Sequence, residues 1–498
     1  MANAFLSLQG VSKSFGGVKA LQNVDLTLNY GEVHCLAGEN GSGKSTLIKV
    51  ISGIHEADAG SIRIEGKPVG RLRPIDAIRH GIQVIYQDFA VFPNLSVMEN
   101  ISMNHQLMTG AKLMNWRKSR SLALEAMQRI GAQIDPELPV ERLSVANKQL
   151  VAILRAIIND AKLLILDEPT TALTAREVDM LFSTVRMLRD KGMAIMIVNH
   201  KLDEIYEIAD RLTVLRNGAY VSSGMIGEYD RARFVRDLTG RDISEQKYQP
   251  DVSGGDILTV KSLTRRGSFE DVSFSLKKGE VLGITGLLGS GRGEIGDALF
   301  GVQPADSGSI ALNGRDIRIR SIGDAMKNKI AYVPEDRLTQ GLFLDRSILD
   351  NTVAASLPDY FHGISLDHKA LLRDSEAWVE KIGVVTPSVH PPIRTLSGGN
   401  QQKVVLAKWL NTKPELLVLN GPTVGVDIGA KADIHGILRS LAADGVGIIV
   451  ISDDLSELIT NCNRILIMRE GRLACEVNSS DCDESRLAAL LSGKEGDA

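Results

Sequence analysis

The sequence lacks long hydrophobic runs. Its longest apolar stretches, such as residues 446–451, are far shorter than the ~18 to 20 residues that a membrane-spanning helix needs. The N-terminal segment MANAFLSLQG has no basic stretch followed by an apolar one, which a secretion signal would have. We therefore expect a chain that neither spans nor crosses a membrane by itself.

Cysteine is scarce and the net charge is small. The spacing of the four cysteines fits neither paired metal ligands nor a disulfide framework, so a reducing cytoplasm is the expected compartment. A net charge of −4 over 498 residues argues against a broad nucleic-acid-binding surface, because such surfaces are strongly basic. With 44% hydrophobic residues, the chain has enough apolar material for two or more domains.

The sequence does contain an internal repeat. The segment GEVHCLAGENGSGKS from Gly31 matches GEVLGITGLLGSGRG from Gly279, 248 residues later. The pairs LSVANKQL and LSGGNQQK, LLILDEPT and LLVLNGPT, and IMIVNHKLDEI and IIVISDDLSEL are each 253 residues apart. Two tandem copies of one domain explain both offsets, with a small insertion in the second copy. We predict domains at residues 4–240 and 256–495, joined by a polar, Pro- and Gly-containing linker at residues 241–255.

Each half is predicted to have an α/β fold. The short apolar runs VHCLAG, LLILD and MAIMIVN alternate with helical stretches such as residues 176–191, which is typical of a mainly parallel sheet buried on both faces. Ligands bind at the carboxyl ends of strands in such sheets. Residues 88–142 are long enough for a helical subdomain, and NWRKSRSLALEAMQRIGA within them has apolar residues near helical spacing.

A glycine-rich segment, GENGSGKST, lies between an apolar strand pattern and a helical one and fits G-x-x-x-x-G-K-[ST]. Backbone amides of such a loop surround phosphate oxygens, Lys44 can reach the β- and γ-phosphates of ATP, and Ser45 can bind Mg²⁺. An alternative is a glycine-rich turn with an exposed lysine. The predicted phosphate-binding residues are Gly38, Asn40, Gly41, Ser42, Gly43, Lys44, Ser45 and Thr46.

The segment LLILDEPT ends a buried strand with two acids. An unpaired carboxylate of Asp167 would be costly there, so Mg²⁺ or hydrogen-bond donors are expected nearby. Glu168 can polarise a water molecule towards the γ-phosphate. The alternative is a strand that ends in two solvated acids. The later segment LSGGNQQK opens a helix with small residues, which suits either a second anion-binding helix terminus or a simple helix start.

The phosphate loop, the LSGG-type signature, the strand ending in DEPT and the following VNH occur in an order that resembles the ATP-binding-cassette (ABC) ATPases. The resemblance covers essentially the whole chain, twice. It implies that Phe15 stacks on adenine and that His200 in IVNHK contacts the γ-phosphate. It also implies that Gln87 in IYQDF senses Mg²⁺ and the attacking water while it touches the transport partner. Packing roles for Phe15 and His200 are the alternatives. Mg²⁺ would be held by Ser45, Gln87 and Asp167, partly through water.

Three further segments, GLLGSGRGE, VPEDR and LSGGNQQK, resemble the tandem ATPases of bacterial importers for monosaccharides and related polyols, of the ribose, galactoside and xylose type. This resemblance implies an ATP-hydrolysing subunit, peripheral on the cytoplasmic face of the inner membrane. Its expected partners are membrane permease subunits, numbering two, and through them a periplasmic solute-binding protein. Selectivity for the sugar is expected to lie in the solute-binding protein and the permease, and not in this chain.

In cassette ATPases each nucleotide lies between the phosphate loop of one unit and the signature of the other. The first pocket is therefore expected to hydrolyse ATP. It would combine the phosphate loop, Gln87, Asp167, Glu168 and His200 of the first half with Ser397, Gly398, Gly399 and Asn400 of the second. The second is expected not to hydrolyse ATP, because the residues that activate water and stabilise charge are replaced. Its substitutions are Arg292 for lysine, Gly293 for the hydroxyl, Glu335 for glutamine, Asn420 and Gly421 for the acids, Asp453 for histidine, and Val145 and Ala146 for signature glycines.

Two other classes of protein compete with this interpretation. A tandem-cassette ATPase that acts on ribosomes usually has two competent pockets and a long charged arm between its units, whereas the linker here is short. A regulator that only binds ATP would not need the complete set of residues around Lys44 and Glu168. The sequence therefore favours a transport ATPase.

Overall fold

A computed structural model of the chain describes residues 4–86, 91–108, 113–170, 173–199, 201–242, 247–248, 252 and 254–493. The chain divides into two compact units, Met1–Ile243 (unit 1) and Ser244–Ala498 (unit 2). Within the described ranges, no helix is long and apolar enough to cross a membrane.

Strands and helices alternate in unit 1, which confirms the predicted α/β class. The strands are β1 (Ala4–Phe15), β2 (Val18–Asn29), β3 (Val33–Ala37), β4 (Ala59–Ile64), β5 (Lys67–Val69), β6 (Ile82–Ile85), β7 (Leu163–Asp167), β8 (Ala194–Val198), β9 (Arg211–Arg216) and β10 (Ala219–Met225). The α-helices are α1 (Lys44–Ile51), α2 (Pro74–Arg79), α3 (Val97–Met108), α4 (Trp116–Ile130), α5 (Val145–Ile158), α6 (Ala175–Asp190), α7 (Leu202–Ile208) and α8 (Arg231–Thr239).

The sheet of unit 1 has a parallel part and an antiparallel part. Its strand order is β5-β4-β1-β2-β10-β9-β3-β8-β7-β6, and the strands from β9 to β6 run parallel. The parallel strands β3 and β8 are buried along their whole length, as expected for strands covered on both faces. The antiparallel strands were not predicted, because β1 and β2 alternate buried and exposed residues and have no continuous apolar run.

Unit 2 repeats this arrangement. Its strands are β11 (Asp256–Arg265), β12 (Phe269–Lys277), β13 (Val281–Gly286), β14 (Ser307–Leu312), β15 (Arg315–Ile317), β16 (Ile330–Val333), β17 (Phe361–His362), β18 (Ser365–Leu366), β19 (Leu416–Asn420), β20 (Gly447–Ile451), β21 (Arg464–Arg469) and β22 (Arg472–Asn478). The α-helices are α9 (Arg292–Phe300), α10 (Ile322–Lys327), α11 (Ile348–Val353), α12 (His368–Lys381), α13 (Gly398–Leu410), α14 (Ile428–Ala443), α15 (Leu455–Asn461) and α16 (Glu484–Leu491).

The strand order of unit 2 matches that of unit 1. One sheet is β12-β11-β14-β15, and a second is β16-β19-β20-β13-β21-β22, with β16 to β21 parallel and β22 antiparallel. Strands β17 and β18 form a separate antiparallel pair. The matching strands β6 and β16 begin 248 residues apart, whereas Ser96 and Ser347, which form matching isolated bridges, are 251 apart. Most of the insertion in the second half therefore lies between β16 and Ser347.

The helical subdomain of unit 1 contains α3, α4 and α5. The segment with helical spacing forms α4, which begins after Asn115, whose side chain accepts a hydrogen bond from Lys118 N–H. Its buried face consists of Ser119, Ala123, Ala126 and Met127, at the spacing of one helix face. Ala123 and Met127 join the apolar cluster that α3 and α5 share.

Two described residues of the predicted linker, Lys247 and Tyr248, fall within unit 2 and are hydrogen-bonded to the rest of it. Tyr248 N–H donates to the Thr460 carbonyl at 2.8 Å, and its hydroxyl donates to the Arg439 carbonyl at 3.2 Å. Lys247 Nζ donates to the Ser479 carbonyl at 3.2 Å. This part of the linker is therefore hydrogen-bonded to the second unit.

Candidate functional site

The glycine-rich loop of unit 1 folds tightly between β3 and α1. Gly41 and Gly43 have positive φ angles of 82° and 101°, a left-handed region that side chains rarely adopt. A Cβ added to Gly38 would lie 2.3 Å from Ser42 Oγ and 2.5 Å from the Leu215 carbonyl oxygen. The loop therefore requires glycine at these positions to keep its curvature.

Lys44 begins α1 and is held at this loop. Its Nζ donates to the carbonyl oxygens of Gly38 at 2.6 Å and Glu39 at 2.9 Å, and the residue is only 6% exposed. Ser45 and Thr46 follow in the first turn of α1, where Ser45 is exposed. Asn40 is exposed at the loop. The structure thus brings the predicted phosphate-binding residues together around one helix start.

Asp167 and Glu168 lie at the carboxyl edge of the same sheet. Asp167 ends β7 and is paired with Val198 of β8, which in turn pairs with β3. Burial, together with the neighbouring charge of Glu168, raises the pKa of the Asp167 carboxyl, and the charge of Lys44 opposes this rise. The two acids and the glycine-rich loop therefore share one edge of the sheet.

Glu168 has an unusual backbone conformation. Its φ is +47°, and its N–H donates to the Val198 carbonyl at 3.0 Å. A left-handed glutamate is uncommon, because its Cβ crowds the backbone. Motif reasoning gave no sign of this conformation.

Two predicted site residues, Gln87 and His200, lie outside the described residues. Phe15, predicted to stack on adenine, is at the end of β1 and is 42% exposed. Its ring meets His55 edge-on with 5.0 Å between centroids, and Lys13 Nζ lies 5.5 Å from its centroid. Because this ring is not buried in the core, it offers surface for contact with a ligand.

The glycine-rich loop of unit 2 has the same construction. A Cβ on Gly286 would lie 2.2 Å from Ser290 Oγ, as Gly38 would meet Ser42, and Gly291 has φ +86°. Arg292 Nη1 donates to the Gly286 carbonyl at 2.6 Å, in the manner of Lys44. The loop shape therefore persists although lysine and the following hydroxyl residue are replaced.

The positions of the two acids are neutral in unit 2. Asn420 Nδ2 donates to the Tyr332 hydroxyl at 3.4 Å, and that hydroxyl donates to Asp297 Oδ1 at 2.9 Å. A Cβ on Gly293 would lie 3.4 Å from Asn420 Nδ2, so these two positions adjoin. Gly421 N–H donates to the Ile451 carbonyl at 2.8 Å. Asparagine and glycine therefore take the places of the acids without a change of backbone pairing.

The residue that corresponds to His200 in unit 2 is Asp453. Its carboxylate lies 3.4 Å from the Arg292 guanidinium, and its side chain is 72% exposed. The Arg292 guanidinium of the second glycine-rich loop therefore lies near a carboxylate of its own unit, that of Asp453.

The LSGG signature starts α13 in unit 2. Ser397 is its N-cap, and its hydroxyl accepts a hydrogen bond from Asn400 Nδ2 at 3.1 Å. Asn400 Oδ1 accepts from Val385 N–H at 3.0 Å. A Cβ on Gly399 would lie 2.4 Å from Ala430 Cβ. The signature of unit 1 has the same cap, Ser144, but continues into α5 with side chains at both glycine positions.

Sequence reasoning missed a hydrogen-bonded glutamate in each unit, the half-buried Glu204 and the buried Glu457. Glu204 accepts from Thr170 Oγ1 and from Asn199 Nδ2 in unit 1. Glu457 accepts from Thr423 Oγ1 at 2.9 Å and Ser452 Oγ at 2.8 Å in unit 2. These bonds connect the loop after β7 or β19 to the segment after β8 or β20. The signal was present, since each threonine and each glutamate recurs at the repeat offset of 253 residues.

Comparison with known proteins agrees with this geometry. Residues 21–171 and 269–424 each match the ABC transporter family. The chain is 42% identical to the ribose import ATP-binding protein RbsA 2 of Streptomyces avermitilis, over 98% of this chain and 97% of that protein. It is 41% identical to a putative ribose/galactose/methyl galactoside import ATP-binding protein of Burkholderia lata, over 99% and 94%. A solved ATP-binding cassette of an ABC transporter in its ADP conformation matches with a TM-score of 0.44 and 26% identity, over 48% of this chain and 97% of that chain.

The family matches and the two relatives confirm the resemblance that the motifs carry. Both family matches begin before a glycine-rich loop and end just after the segment LLILDEPT or LLVLNGPT. The chain belongs to the family of ABC transporter ATP-binding proteins, which are ATPases, and it carries the family's domain twice.

Proposed function

We propose that this protein is the ATP-hydrolysing subunit of a transporter that imports a sugar or a sugar-like solute. The support is the description of its relatives as ribose, or ribose/galactose/methyl galactoside, import ATP-binding proteins, which align with nearly the whole chain. Such a subunit acts at the cytoplasmic face of the inner membrane. It works with two permease subunits and, through them, a periplasmic solute-binding protein.

One of the two nucleotide pockets is proposed to hydrolyse ATP. The observation that carries this asymmetry is that unit 1 has Asp167 and Glu168 where unit 2 has Asn420 and Gly421, on strands with matching pairing. Hydrolysis requires a group that orients the attacking water, and glycine has none. The loop around Gly286 keeps the shape of a phosphate-binding loop, although the residues needed for hydrolysis are replaced.

In the competent pocket, the loop from Gly38 to Thr46 would bind the phosphates of ATP. Lys44 would exchange its bonds to loop carbonyls for bonds to phosphate oxygens. Glu168 would orient the attacking water, and His200 would contact the γ-phosphate. The signature residues Ser397 to Asn400 of unit 2 would complete this pocket, as the family resemblance implies.

Magnesium fits the residues of the first pocket. Positions 293 and 420 adjoin in unit 2, and the matching positions of unit 1 hold the hydroxyl of Ser45 and the carboxylate of Asp167. Hard oxygen ligands of this kind, completed by water and phosphate, suit Mg²⁺, which would neutralise phosphate charge when bound. Gln87 would contribute through water. Unit 2 offers glycine and an amide instead, so its pocket is proposed to lack a Mg²⁺ site.

The test compares Glu168→Gln with Arg292→Ala in the protein purified together with its permease. Glu168→Gln is expected to abolish ATP hydrolysis and solute uptake, because the water-orienting carboxylate is lost. Arg292→Ala is expected to keep at least about half of the hydrolysis rate, because the second pocket does not turn over. Equal losses in both variants would refute the single-pocket proposal. Failure of any permease to co-purify would refute the transport function.

A further inference from the structure

The segment that follows β16 in unit 2 forms a turn that is anchored at both ends. Asp336 accepts hydrogen bonds from Leu338 N–H at 3.0 Å and Thr339 N–H at 3.2 Å, and a π-helical turn follows over Arg337–Gly341. Lys408, on the signature helix α13, donates from Nζ to the Gly341 carbonyl at 2.6 Å. The turn lies in the stretch where the second half is longer than the first.

Arg337 reaches from this turn to the loop after β19. Its Nη1 donates to the Val424 carbonyl at 2.6 Å, and its Nη2 donates to the Gly425 carbonyl at 3.2 Å. The planar guanidinium can hold two adjacent carbonyls at once, which a lysine ammonium on a flexible stem does less well. The loop around residues 424–427 is thereby fixed to the turn.

The same guanidinium touches the first residue of the signature helix. A Cβ on Gly398 would lie 2.8 Å from Arg337 Nη2 and 3.2 Å from the Gly425 carbonyl oxygen. On the neighbouring side, Gly399 packs against Ala430, near the start of α14. Asp427 caps α14 by accepting from Ala430 N–H at 2.8 Å. The signature start is thus enclosed between Arg337 and the first turn of α14.

We propose that Arg337 is a positioning residue for ATP hydrolysis. By bonding to the loop at residues 424–427 and packing on Gly398, it fixes the orientation in which the signature presents its backbone amides to the γ-phosphate. The inference rests on the proposed function, in which this signature completes the competent pocket. The first unit has Val145 in place of Gly398, so its signature cannot accept the same close approach of a guanidinium.

The experiment measures the kcat and KM of ATP hydrolysis for the full chain purified with its permease. Arg337→Ala is expected to lower kcat about tenfold, because catalytic geometry is lost when a group is displaced by a fraction of an ångström. The KM for ATP is expected to stay within about twofold, because the phosphate loop of unit 1 supplies the initial binding. Arg337→Lys is expected to recover part of kcat, since an ammonium can bond to one of the two carbonyls.

Arg486→Ala is the matched control. Arg486 lies on α16 of the same unit and also donates to a backbone carbonyl, that of Asp481, at 2.7 Å. Its loss should leave kcat within about twofold of the unmodified protein. Thermal unfolding of all variants separates positioning from folding, because Arg337→Ala should unfold within a few degrees of the control while its kcat is lower.

A kcat for Arg337→Ala within twofold of the control would overturn the inference. A loss of kcat that follows the loss of folded protein, with no recovery in Arg337→Lys, would overturn it as well. Glu168→Gln, measured in the same preparation, separates this failure from failure of the proposed function. If Glu168→Gln is inactive and Arg337→Ala is fully active, only the positioning inference is wrong.

Discussion

Glu168 and Gly421 occupy the same place in the two units and share a left-handed backbone. Their φ angles are +47° and +58°, and each N–H donates to the carbonyl of the last residue of the neighbouring strand, Val198 or Ile451. Glycine adopts this conformation without strain, whereas glutamate adopts it only with strain, because its Cβ crowds the backbone. The backbone of Glu168, the proposed catalytic residue of unit 1, is therefore strained, and glycine at the matching position of unit 2 removes both the strain and the carboxylate.

The left-handed backbone predicts that a Cβ destabilises this position in both units. The free energy of unfolding of Glu168→Gly should be about 1 kcal/mol higher than that of Glu168→Ala. Both variants lack the carboxylate, and only alanine has a Cβ that is strained in the left-handed conformation. Gly421→Ala should be destabilised by about 1 to 2 kcal/mol, since its Cβ would also lie 2.9 Å from Val424 Cγ2. Denaturant unfolding measures both differences. Equal stability of Glu168→Gly and Glu168→Ala would contradict the prediction.

The two signatures are predicted to differ in their effect on hydrolysis. Gly399→Ala should lower ATP hydrolysis at least about tenfold, because the new Cβ would lie 2.4 Å from Ala430 Cβ and displace the start of α13. Ala146→Gly, the reverse change at the matching position of the first signature, should leave the rate within about twofold, because that signature is proposed to belong to the pocket that does not hydrolyse ATP. Steady-state hydrolysis with the permease present tests both variants.

A double variant tests whether the loss of activity in Gly399→Ala comes from the contact with Ala430 or from the loss of glycine at position 399. Adding Ala430→Gly to Gly399→Ala removes the colliding methyl group and should restore part of the rate. Absence of any recovery would mean that the Ala430 contact is not the cause.

Asp167→Asn is predicted to make the ligand-free protein more stable at neutral pH while abolishing Mg²⁺-dependent hydrolysis. Burial and Glu168 raise the pKa of Asp167 in the folded state, so the ionised carboxylate opposes folding at neutral pH. Asparagine, which unit 2 has at this position, carries no such charge.

The sign of the pH dependence follows from the raised pKa. Protonated Asp167 favours the folded state fully below the ordinary aspartate pKa, and this advantage is lost as pH rises through the higher folded pKa. The stability gain of Asp167→Asn should therefore be large at neutral pH and shrink as the solution is acidified. Thermal unfolding from about pH 7 down to pH 4 in the presence of EDTA measures it. A gain that does not change with pH would contradict the assigned cause.

The prediction of the site rests on motifs with fixed spacing. The loop at 38–46, the acids at 167 and 168 and the signature at 397–400 are each local in sequence, because each motif needs only a few adjacent residues to do its chemistry. The same reasoning identified α4 from its apolar spacing. It did not identify the antiparallel strands β1 and β2, whose alternation is interrupted by register shifts.

The sequence by itself determined that the chain is a tandem repeat of one nucleotide-binding fold and that one copy lacks the acids, because repeats and motif residues can be compared position by position. Only the tertiary structure decided that Glu168 is strained, that Gly399 must fit against Ala430, and that Arg337 holds the loop before α14 to the signature. These relationships depend on backbone conformation and on contacts between segments that are distant in sequence. A list of residue types contains neither kind of information.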